Sequence, residues 1–115
     1  MTITPEDILD ELSTIIMDLG AIREQVTDSV DRSAINNQIK ALTKWWRTID
    51  DERAGQSNNE IDNAKKALVA ITKDLKAEKK NLKKVAVVIH RAAQAIAIVR
   101  TTILSGCWTS PVYLL

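Results

Sequence analysis

Residues 59–104 read NEIDNAKKALVAITKDLKAEKKNLKKVAVVIHRAAQAIAIVRTTIL. Along them Ile61, Ala64, Leu68, Ile71, Leu75, Glu78, Leu82, Val85, Ile89, Ala92, Ile96, Val99 and Ile103 alternate spacings of three and four. That alternation keeps side chains on one side of an α-helix and is the seam of helices packed along their length. Glu78 is the polar exception. No Gly or Pro interrupts the stretch before Gly106, and Lys76-Ala77-Glu78-Lys79-Lys80 is rich in helix formers, so one continuous helix of about 70 Å is expected. The competing reading breaks this helix at Glu78–Asn81.

Upstream, Gly55 followed by Ser57-Asn58-Asn59-Glu60 has the spacing of a helix stop and a capping box, the clearest turn in the chain. A second seam precedes it, Ile35, Ile39, Leu42, Trp46 and Ile49, and a third before that, Ile8, Leu12, Ile15, Leu19, Ile22 and Val26. Val26 and Ile35 lie nine residues apart, which at about 100° per residue sets the two stripes on opposite sides of a straight helix. A break near Asp31–Ser33 follows. Thr4-Pro5-Glu6-Asp7 supplies an N-cap hydroxyl, a proline at a position that needs no amide, and acids at the positive end of the dipole. Gly20 only weakens its helix.

The expected fold is all-α. It is a long antiparallel helical hairpin with helices over about 5–30, 34–54 and 58–105, assembling into a four-helix bundle or coiled-coil-like oligomer. Helix 2 would lie beside the first half of helix 3, and helix 1 beside the second. The alternative splits helix 3 near Glu78 and wraps four helices around one core. A chain of 115 residues suits a single domain, with 106–115 as a non-helical tail.

The net charge of +1 hides a division along the chain. Residues 1–60 hold six Lys/Arg against twelve Asp/Glu, and residues 61–115 hold ten against three. The halves should neutralise each other on contact, with Asp28 and Asp31 near the charge-complementary patch Lys79, Lys80, Lys83 and Lys84.

The segment Val85–Leu104 carries more apolar surface than one neighbour can cover, since Val87, Val88, Ala93, Ala95 and Ile98 lie off its stripe. A large exposed apolar area is unusual for a monomer, so a homo-oligomer is expected. Trp45, Val88, Ile98, Trp108 and Tyr113 are the candidate partner-binding side chains. Trp46 falls on the seam, and the Trp-, Tyr- and Leu-containing tail should dock on its own bundle or on a protein partner. About twenty mostly apolar residues also match a bilayer span. His90, Arg91, Gln94 and Arg100 interrupt them, which favours conditional membrane insertion or surface binding over constitutive spanning.

No catalytic, cofactor or metal constellation is readable. His90 is the single histidine and Cys107 the single cysteine, so neither a disulfide within the chain nor a Cys-x-x-Cys centre forms. Nucleic-acid binding is not expected, because the lysine run lacks interleaved aromatics and a recognition-helix motif. The first residues lack a secretory signal pattern, which makes cytoplasm the default location, with signal-independent export left open. Size and central turn are similar to small helical-hairpin proteins exported by specialised bacterial secretion systems. Their Trp-x-Gly turn is not present here: Trp45-Trp46-Arg47 precedes Gly55 by most of a helix. The sequence thus points to a non-enzymatic helical interaction or assembly protein, with a membrane-active helical protein using 85–104, a pore-forming or lysis component, as the alternative.

Overall fold

Asp28 marks the first turn. Its Oδ1 accepts hydrogen bonds from the amides of Val30 (2.9 Å) and Asp31 (3.0 Å), the geometry by which an N-cap carboxylate satisfies the open donors of a new helix. In the computed structural model, which describes residues 5–52 and 59–104, that helix is α2, Ser29–Glu52, and the one before it is α1, Pro5–Arg23. The break therefore falls earlier than the expected Asp31–Ser33. Helix α1 ends in tight turns, Gln25 N to Ile22 O at 2.9 Å and Val26 N to Arg23 O at 3.2 Å, while the buried Val26 side chain holds the loop on the core. Asp28→Ala is expected to cost about 1 kcal/mol in chemical denaturation.

The long third helix is corrected by the structure. Residues 59–104 form α3, Asn59–Lys80, and α4, Val85–Leu104, joined by a four-residue turn. Glu78, the polar seam residue, accepts a 2.8 Å hydrogen bond from the Lys83 amide through its carboxylate and closes that turn. Two causes favour stopping here. Lys79 and Lys80 lie in the last turn of α3, where cations complement the negative end of the dipole. In a straight helix, Lys79 and Lys83, and Lys80 and Lys84, would be like charges one turn apart. The competing reading, a split near Glu78, is the one observed.

Two antiparallel hairpins result, α1–α2 and α3–α4, and they stack so that α1 lies beside α3 and α2 beside α4. The pairs across the stack are parallel: Lys65 meets Asp7 and Glu11, whereas Lys76 and Lys79 meet Asp18 further along both helices. Helix α1 thus packs on the first half of the 59–104 stretch and not on the second, as the hairpin arrangement required. It meets α4 only slightly, across the diagonal. All described elements are helices, and the longest Cα extent is 44 Å, too short for a 70 Å rod.

One core runs through the stack. Helix α1 contributes Ile8, Leu9, Leu12, Ile15, Leu19 and Ile22, α2 contributes Ile35, Leu42 and Ile49, and α3 contributes Ala64, Leu68, Ile71 and Leu75. These are the seams expected from spacing. Helix α4 departs from its expected seam, burying Val88, Ala92, Ala95 and Val99, while Val85, Ile89 and Ile96 pack at the margin. A non-helical turn frees α4 to rotate about its axis, so its phase no longer follows that of α3. At Gly20 an added Cβ would meet nothing within 4 Å; Gly20→Ala should stabilise the chain by about 0.5–1 kcal/mol, read as a shift in denaturation midpoint.

Candidate interaction surfaces

Two polar columns, each with a residue every seven positions, meet where α1 lies along α3. Glu11, Asp18 and Gln25 form one, and Lys65, Thr72 and Lys79 the other. Seven residues make nearly two helical turns, so each column stays on one flank of its seam. Lys65 Nζ lies 3.9 Å from Glu11 and donates to the Asp7 carbonyl at 3.2 Å. The Thr72 hydroxyl donates to the Leu68 carbonyl at 3.0 Å and reaches Glu11 at 3.4 Å. Gln25 Nε2 donates to the Lys79 carbonyl at 2.8 Å.

Asp18 is the innermost charge of this ladder at 3% exposure. Lys79 lies 3.0 Å from its Oδ1 and Lys76 3.7 Å from its Oδ2. The acidic half and the basic half therefore do meet, but the acid at Lys79 is Asp18. Asp28 caps α2 instead. The expected lysine patch divides accordingly: Lys79 joins the ladder, and Lys80, Lys83 and Lys84 are exposed at the α3–α4 turn.

Helix α4 presents a different surface. Ala86, Val87, His90, Ala93, Ala97 and Arg100 face outward, while Val85, Ile89, Ile96 and Ile98 are half-buried against the core. At its C-terminal end an apolar groove of about 510 Å³ opens between Asn63, Ala64 and Ala67 of α3 and Ala97, Ile98 and Thr101 of α4. Ile98, expected at a partner surface, is half-buried on this groove. Val88 does not belong to the outward face: it is fully buried in the core, because the rotation of α4 turned that side inward. Trp45 is half-buried against the core. Its neighbour Trp46 sits at the α1–α2 seam, with Nε1 donating to the Leu9 carbonyl at 3.1 Å and the Ser13 hydroxyl at 2.9 Å. Trp108, Tyr113 and Cys107 lie outside the described residues.

Contacts joining α4 to the rest are few in kind. Arg91 pairs with Asp74 at 2.7 Å, and Gln38 Nε2 donates to the Ile89 carbonyl at 2.8 Å, while the buried Gln38 Oε1 finds no donor. Sequence reading missed Gln38 and Asp18, since nothing in a polar residue's identity tells which neighbour will cover it. The seven-residue spacing of Glu11 and Asp18 was the available signal. Among the described residues no group of three His, Cys, Asp or Glu side chains converges as a metal site. No family model, curated protein or solved structure matches the chain.

Proposed function

We propose that this chain is a non-enzymatic helical interaction protein that self-associates through α4. The observation carrying the reading is the composition of that helix, apolar over the 18 residues Val85–Thr102, together with an outward face on which Ala86, Val87, Ala93 and Ala97 are exposed. Apolar surface left outward on a soluble helix gains by meeting a second apolar surface. Sedimentation velocity across the micromolar range should show mass rising with concentration. Ala93→Glu with Ala97→Glu should hold the protein at monomer mass by placing charge on the outward face. A wild-type monomer at every concentration in that range overturns the reading.

A membrane-active role is the second reading, supported by the length of the same stretch: 18 apolar-rich residues approach the span of a bilayer's hydrocarbon core. Leakage from anionic liposomes, abolished by Ile96→Lys, supports it. Absence of leakage, or leakage undiminished by that substitution, dismisses it.

A further inference from the structure

The turn between α3 and α4 contains no Gly and no Pro: it reads Asn81-Leu82-Lys83-Lys84. Leucine and lysine are good helix formers, so nothing in the residues forbids helix across the turn. The seam spacing, moreover, runs through it unbroken. If 81–84 became helical, Leu82, Val85, Ile89, Ala92, Ile96 and Val99 would line up with Leu68, Ile71 and Leu75 on one ridge. The folded-back chain uses a different side of α4, Val88, Ala92, Ala95 and Val99. Ala92 and Val99 serve both. The remaining positions are larger in the straight register, where Ile89 and Ile96 replace Val88 and Ala95.

Helix α4 is held where it lies by small side chains, Val88, Ala92, Ala95 and Val99. None of the ten largest fully buried side chains belongs to it, and its junction with α2 strands the Gln38 Oε1 in the interior without a donor. Its turn is closed by the Glu78 carboxylate on the Lys83 amide and by the Gln25 side chain on the Lys79 carbonyl, with Leu82 packed at the core margin and three exposed lysines crowded beside it.

We infer that two copies exchange α4: residues 59–104 straighten into one helix, and the α4 half of each chain fills the place that α4 leaves on the other. A second copy is the fitting occupant because that place, between α2 and α3, is shaped for this helix. Exchange through a short turn is a low-cost route to a dimer, since Ala92 and Val99 stay covered in both forms and Ile89 and Ile96 take over from Val88 and Ala95. The inference rests on the reading above that copies self-associate through α4, and places the shared contact on the side of α4 that meets α2 and α3.

Spin labels at Asn63→Cys and Thr101→Cys, in a Cys107→Ser background, test it. Both positions are exposed and line one groove in the folded-back chain. In a straight helix they stand about 57 Å apart. Doubly labelled protein diluted into unlabelled protein reports the distance within a chain by dipolar electron resonance, with mass followed on the same samples. The expected result is a short distance in the monomer and a long one in the dimer. Lys84→Pro, which blocks helix across the turn, should weaken dimerisation by about a hundredfold and leave the monomer's circular dichroism unchanged. Asn81→Ala with Lys83→Ala, which raises helix propensity and removes a like charge, should strengthen it. A dimer that keeps the short distance overturns the exchange and leaves self-association standing. No dimer at all overturns both. A long distance that arises only on anionic phosphatidylglycerol vesicles, and never with a second copy, overturns the exchange in favour of the lipid reading.

Discussion

Leu75→Ala is expected to destabilise the monomer by about 2–5 kcal/mol. Leu75 is fully buried, one turn from Ile71 on the face that α3 turns to the core. Removing a methine and two methyl carbons there loses their transfer free energy and leaves a cavity that four packed helices close only in part. Ile89 gives the contrast. It packs at the margin of the core and keeps part of its surface in water, so Ile89→Ala should cost less than about 2 kcal/mol. Urea denaturation of both variants at a concentration where the protein is monomeric checks the pair. Equal losses would mean that α4 is packed in the straight register.

The second large effect is electrostatic and lopsided. Asp18 is buried to 3% exposure, but the side chains of Lys76 and Lys79 are 51% and 38% exposed. Replacing both lysines by Met leaves a carboxylate in the interior without a countercharge, and removing the partners of a buried ion costs about 3–5 kcal/mol. Asp18→Ala leaves the lysines, which can turn to water and recover hydration, so it should cost clearly less. Chemical denaturation of Lys76→Met/Lys79→Met against Asp18→Ala measures the difference. Adding Asp18→Ala to the lysine pair should recover stability, because no unpaired charge then remains inside.

Much of this architecture was legible in residue spacing, and the limits of that legibility are physical. Ile8 to Val26 and Ala64 to Leu75 are buried as their three-four alternation requires, because within a helix sequence spacing is angular position. The phase slip between Val26 and Ile35 announced the first turn, although its cap proved to be Asp28. The second turn showed only as Glu78, the one polar residue on the seam, where the competing reading set its break. Four residues are close to one helical turn, so Asn81–Lys84 carries the spacing across while the backbone leaves the helix. For that reason the spacing sets Val88 off the seam and Ile96 on it, whereas the structure buries Val88 fully and leaves Ile96 half-buried at the core margin. The lysine patch was legible as charge but not as geometry. Which acid meets Lys79 depends on α1 lying parallel to α3, a fact of topology that no local pattern contains.

In the single chain the 59–104 seam is folded back on itself at Asn81–Lys84. Backbone Cα chemical shifts of the dilute monomer test it most directly. Helical shifts are expected over 59–80 and 85–104, interrupted by non-helical values at 82–84. Unbroken helical shifts from 59 to 104 in the monomer would contradict it.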